Sequence, residues 1–295
     1  MKSFRITGRK FFSLFFVLAE TFFVSCGLEE IITVNAPTTR YSDPRYDGND
    51  YLNYYVSFAV NESGQPDTFI GTEVYYKIYN NSRDLLSQQS SILSVNSSSN
   101  STAAAVKMID TYKFQPLGIY PSVSQTLFIP KGSGYKITFR VKTVKGNEDY
   151  GSSESDGIEI LEQFRACVKF SGRLRALVNG NPVFVDYSSS DGWKSYSSAD
   201  GMTGTPVSYG DIKFLVPYRN NGKSFDFFDD LDTKLDENVK PSVSDDDYYH
   251  NTTDSESDTY YVQFFAVAVA FDTSSLGYTY STVLDLGSVP ISKNR

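Results

Sequence analysis

The sequence predicts an all-β protein built as two tandem β-sandwiches. Three observations carry that reading. Apolar residues recur at a period of two in segment after segment, whereas the helical period of 3.6 is nearly absent. Turn-forming runs such as Asn179-Gly180-Asn181-Pro182 punctuate the segments. With 22 Tyr and 22 Phe among 295 residues, the chain also carries the bulky side chains that suit pleated, half-buried surfaces.

The chain opens with four positive charges, Lys2, Arg5, Arg9 and Lys10, and no negative one within its first ten residues. An apolar run from Phe11 to Ala19 follows. A basic segment ahead of a short apolar one is the layout of a secretory signal, here expected over residues 1–25. A spanning helix needs about 20 predominantly apolar residues. Phe11 to Leu28 supplies 18 residues with Glu20 in their midst, which disfavours a span. Next comes Phe23-Val24-Ser25-Cys26-Gly27. This stretch resembles the lipobox of bacterial lipoproteins, in the loose form similar to that of spirochaetes, where a small residue precedes a Cys that becomes the acylated N-terminus. The resemblance implies lipidation of Cys26, with palmitate among its acyl chains, and a short tether over residues 26–30. It further implies a lipid bilayer as partner and an exported protein anchored in the cell envelope. Gly27 stands where enteric lipoproteins carry the Asp of inner-membrane retention, so the outer membrane is the expected one.

The first sandwich is expected over residues 31–162. In Tyr54 to Val60, the residues Tyr54, Val56, Phe58 and Val60 share one face, and Val74, Tyr76 and Ile78 do so in the next segment. Tyr135 to Lys142 alternates strictly, with Tyr, Ile, Phe and Val against Lys, Thr, Arg and Lys. That pattern predicts one face on a core and one in water. With Asp156-Gly157-Ile158-Glu159-Ile160 after a polar loop, the order resembles a fibronectin type III or immunoglobulin-like module closing on a hairpin. Two features depart from that family: no Trp lies on an early strand, and residues 80–125 exceed its usual mid-domain connection. Ser87 to Ala105 is Ser-rich and predicts a mobile surface loop.

The second sandwich is expected over 163–295. Phe164, Ala166, Val168 and Phe170 form one face of its first strand, which puts Cys167 on the other as a half-covered residue with no activating His nearby. Leu174–Val178 and Val183–Tyr187 read as a hairpin about Asn179-Gly180, and Ile212–Tyr218 with Phe225–Phe228 as another about Asn221-Gly222. Tyr260 to Phe271 is apolar on both faces, as a central strand would be, and Ser281 to Leu286 follows. The alternative topology is one sandwich with 163–258 as a long β insertion.

Composition excludes several classes of function. A net charge of −8 argues against a nucleic-acid surface. One His and two Cys leave no basis for a Cys/His zinc site, and His250 lies in an acidic stretch without a nucleophile motif around it. No phosphate-binding glycine pattern occurs, so no nucleotide cofactor is expected. Residues 225–258 hold twelve carboxylates against Lys234 and Lys240, a net of −10. Carboxylate pairs hydrolyse glycosides, but an acid catalyst needs partial burial and these lie in a polar stretch. Calcium also takes carboxylates, yet the spacing departs from the known loop pattern. A solvated, self-repelling loop is therefore expected, with Asp245, Asp246 and Asp247 pointing apart and no metal bound. The candidate ligand residues are Trp193 and Tyr196, which could stack on a sugar ring or anchor a protein partner. In the competing reading Trp193 folds back over the end of the second core. No catalytic residue is assigned. The expectation is a lipid-anchored protein acting in adhesion, scaffolding or envelope assembly, with a glycan-binding or glycan-active protein using the Trp193 loop as the alternative.

Overall fold

An antiparallel sheet and a second sheet, antiparallel except for one short parallel edge strand, face each other across an aromatic core. The computed structural model describes residues 32–41, 54–121, 127–133, 136–143, 165–228, 234–250, 257–273 and 276–293. Cys26, the signal and tether, and the strand expected at 156–160 lie outside the described residues.

The first sheet runs in the order β1 (Thr39–Arg40), β2 (Tyr55–Ala59), β7 (Lys136–Arg140), β8 (Cys167–Phe170), β9 (Arg173–Val178), β10 (Asn181–Ser188), β11 (Gly192–Tyr196) and β12 (Thr205–Pro206), with β13 (Ile212–Phe214) also on β9. The second is built on β3 (Phe69–Tyr79) and β16 (Thr259–Asp272). Around them lie β4 (Gln115–Pro116), β6 (Ile129–Pro130), β15 (Tyr248–Tyr249), β17 (Gly277–Tyr280) and β18 (Leu284–Ser292). A separate ribbon pairs β5 (Gly118–Tyr120) with β14 (Val216–Tyr218).

The period-two faces read from sequence do meet. Val56, Phe58, Ile137, Phe139, Val168 and Phe170 from the first sheet pack against Val74, Tyr76, Ile78, Val262 and Phe264 from the second. The hairpin at Asn179-Gly180 is also present: Val178 pairs with Asn181, and both turn residues have positive φ, 53° and 79°. Such a two-residue turn matches the twist of its strands, and Asn-Gly adopts it at little cost.

The boundary expected at 162/163 is corrected, because both sheets mix strands from its two sides. Residues 33–295 form one compact unit. β16 pairs with β3 from Tyr261–Tyr79 to Ala270–Phe69, and β7 pairs with β8. The reason lies in β16 itself. A strand apolar on both faces needs partners on both edges and cover on both sides, and β3 is the matching long strand, buried on both faces. The insertion alternative is met only in part: β16 completes the sheet that β3 begins, but β8 to β13 extend the first sheet rather than forming an inserted module.

The Ser-rich stretch is corrected too. It folds into α1 (Ser82–Leu93), followed by α2 (Ala103–Val106) and a π-helical turn over Lys107–Thr111. Asn81 caps α1 by accepting from the Arg83 N–H at 2.7 Å. Leu85 and Ile92, seven residues apart, point one face inward, and Ala104, Ala105 and Met108 join them over Tyr75, Tyr79, Phe265, Val267 and Val269. This helical layer covers the outer face of the second sheet, which would otherwise leave those aromatic and branched side chains in water.

Candidate functional site

Trp193 is 2% exposed, so it lies in a core, as the reading in which it folds back expects, rather than facing solvent as a stacking platform. Its ring sits among Tyr187, Tyr209 and Phe214 at centroid distances of 5.4–5.6 Å. Together with Cys167, Leu174, Ala176, Val185 and Ile212 it forms a second core on the outer face of the first sheet. The cause is register. Trp193 pairs with Tyr187 on β10, which places it on the same face as Val185 and Leu174. The stretch read as a loop is thus strand β11. Tyr196 is half-buried, with the Arg173 guanidinium 3.6 Å from its ring centroid. Gly204 approaches it so closely that an added Cβ would lie 2.6 Å from the ring. Cys167 is 1% exposed rather than half-covered.

The described part of the acidic stretch holds a buried polar cluster. Gly222 N–H donates to the Arg219 carbonyl at 2.9 Å and Arg219 N–H to the Lys223 carbonyl at 2.8 Å, closing the turn expected there. Beyond it Phe225, Phe227 and Phe228 enter the main core as irregular chain rather than as a strand. The Arg219 side chain is driven inward and is 1% exposed. Its Nε and Nη2 donate to the two carboxylate oxygens of Asp247 at 2.8 and 2.7 Å. Nη2 also reaches Asp245 Oδ2 at 2.6 Å, and Nη1 donates to the Val239 carbonyl at 3.0 Å. Asp247 Oδ2 accepts from the Tyr76 hydroxyl at 2.5 Å, and that hydroxyl accepts from the Asn220 N–H at 2.8 Å.

The expectation of a solvated, self-repelling loop is therefore corrected for the described part of 225–258. Asp245 and Asp247 converge on one guanidinium instead of pointing apart. Burial pushes the Asp245 carboxyl up, but Arg219, the Ser242 N–H and Lys223 outweigh it and hold the group below the usual carboxylate range. Burial together with Asp247 pushes the Tyr76 phenol well up. Every nitrogen of this guanidinium donates to an acceptor of the chain itself. Its chemistry is that of a clamp between the acidic stretch and β3. His250 lies at the edge of the same region, with Nδ1 3.3 Å from the Tyr248 hydroxyl and 3.4 Å from Asn80 Nδ2. Among the described residues, no group of three His, Cys, Asp or Glu side chains is placed to hold a metal ion.

Three further buried ionisable side chains escaped sequence reading. Glu73 on β3 is 5% exposed and accepts from the Val74 and Phe128 N–H groups at 3.1 and 3.3 Å. Burial pushes its carboxyl up to about 8 against these hydrogen bonds. Arg140 on β7 is 0% exposed, although strict alternation placed it on the solvent side. Lys142 beyond it is 1% exposed. Arg140 pairs across the sheet with Tyr55 on one side and Cys167 on the other.

Comparison with family models, with curated proteins and with solved structures gives no match for this chain. The functional reading therefore rests on residues and geometry.

Proposed function

We propose that this chain is an exported bacterial lipoprotein, held in the outer membrane by acylated Cys26, whose β-sandwich body serves adhesion, scaffolding or envelope assembly without catalysis. One observation carries the reading: a basic segment, an apolar run and Ser25-Cys26 follow one another near the start of the sequence. Two anchoring chains already suffice for stable attachment.

The body's polar architecture supports a structural role. The Arg219 clamp is closed on its own partners, and the one Trp belongs to a core. Two largely antiparallel sheets packed face to face support the immunoglobulin-like resemblance at the level of architecture, while the nine-stranded first sheet exceeds what such a module carries. The burial of Trp193 weighs against the glycan-site alternative, which called on that side chain.

Labelled palmitate incorporation tests the anchor. Label should enter the wild type and be lost in Cys26→Ser, with the variant moving to the aqueous phase on detergent partitioning. Equal labelling of both proteins contradicts the assignment.

A further inference from the structure

We infer that the tip of the β16–β17 hairpin, carrying Leu276 and Tyr278, rests in the lipid surface that anchors the chain. The inference rests on the proposed acylation of Cys26 and deepens that reading by naming the end of the body that meets the bilayer. Leu276 is 76% exposed and Tyr278 is 52% exposed. Tyr278 pairs with Phe271 on β16, and the two rings meet edge to face at 5.5 Å. Phe271 follows Phe265, Val267 and Val269 on one face of its strand. Those three belong to the cluster that the helical layer closes, whereas Phe271 and Tyr278 lie outside it. The apolar face of the second sheet therefore runs on past its cover and ends at the tip.

Backbone geometry singles out Leu276. Its φ is +53°. Gly or Asn adopts this left-handed conformation at little cost, whereas a bulky residue is strained by it. Observed strain of this kind points to a role for the residue that bears it. Being largely exposed, the side chain is not there to fill a core. An apolar medium outside the protein gives leucine a purpose at this position.

The place of the tip in the fold identifies that medium. Phe271 N–H donates to the Thr68 carbonyl at 2.9 Å, beside the turn that joins β2 to β3. On the same turn, Asn35 N–H donates to Gln65 Oε1 at 3.0 Å and Asn35 Nδ2 to the Gly64 carbonyl at 2.9 Å. The first described residues and the hairpin tip thus share one end of the sandwich. Cys26 precedes Asn35 by nine residues in the sequence, so an acylated Cys26 is joined to the body at the end that carries Leu276. Lys131 and Lys136 stand at this end with Glu62, Asp67 and Asp272. These charges nearly cancel, so apolar burial rather than attraction to anionic headgroups governs the contact.

The test uses the full-length protein recovered from palmitate-labelled cells and reconstituted into phosphatidylcholine vesicles, with or without bromine on the acyl chains. Tyr278→Trp reports the tip. Val243→Trp, exposed on the stretch that leads to β15 at the far end of β3, reports a remote surface. The emission of the parent protein, which comes from Trp193, is subtracted from both. Tyr278→Trp should emit at shorter wavelength on vesicles and be quenched by brominated lipid, while Val243→Trp should change in neither respect. Adding Leu276→Asn, which suits the positive φ, should weaken that quenching without lowering the melting temperature. Quenching at Tyr278→Trp no greater than at Val243→Trp in palmitate-labelled protein overturns the tip contact, leaves the anchor standing and assigns the tip to a protein partner. Protein without palmitate overturns the anchor, and this inference with it. A fall in melting temperature with Leu276→Asn makes Leu276 a packing residue and likewise overturns the proposal.

Discussion

Arg219 and Asp247, 28 residues apart, meet as a two-pronged buried ion pair with contacts of 2.8 and 2.7 Å. The pair ties the irregular chain after β14 to Tyr76 in the middle of the second sheet. Removing one partner of such a pair leaves the other charge buried and uncompensated, at about 3–5 kcal/mol. Asp247→Asn should therefore lower the unfolding free energy by that amount in a urea titration. A cost below about 1 kcal/mol would show the clamp to be idle.

Asp245 gives the clamp an acid limit. Its folded-state pKa is depressed, so its contribution is present above the unfolded carboxylate value of about 3.9 and is lost as pH falls through the lower folded value. Asp245→Asn should reduce the loss of stability on acidification below about pH 4. Identical acid profiles for variant and wild type would contradict this.

Glu73 acts in the opposite sense. Its folded-state carboxyl titrates at about 8 against 4.5 when free, so the folded state keeps a proton that the unfolded state has lost. Its contribution is complete below pH 4.5 and is lost as pH rises to about 8, with a slope of up to about 1.4 kcal/mol per pH unit. Glu73→Gln can still accept from Val74 and Phe128 and should flatten that slope. A melting temperature falling equally steeply in both proteins between pH 5 and 8 would refute the assignment. Lys77, held down to about 8 by burial, affects only the alkaline side, where stability should rise with pH up to its free value of 10.5.

Much of the fold was legible because it depends on local pattern. The inward faces at Val56, Phe58, Val74, Tyr76 and Phe139, the Asn179-Gly180 turn and the central strand β16 all follow from period two and turn chemistry. Sheet membership was not legible, since nothing local in β16 names β3 as its partner rather than a nearer strand. Helix α1 was hidden because only Leu85 and Ile92 mark its buried face and serines fill the rest. The charged residues misled for a related reason. Whether Asp247 or Arg140 meets water is decided by what the distant chain lays over it, as Arg219 does for Asp247.

Trp193 provides a spectroscopic check on its own reassignment. As the single Trp of the chain, packed against Tyr187, Tyr209 and Phe214, it should emit at short wavelength and resist quenching by iodide. Trp193→Ala should cost about 3–5 kcal/mol of stability. Red-shifted, readily quenched emission with a stability change below about 1 kcal/mol would return Trp193 to the surface.

The N-terminus of the protein recovered from cell membranes tests the central claim most directly. Intact-mass and peptide mass spectrometry should find Cys26 as the first residue, carrying acyl chains, with nothing upstream of it. A mature chain that begins before Cys26, or one that begins at or after it without lipid, contradicts the account.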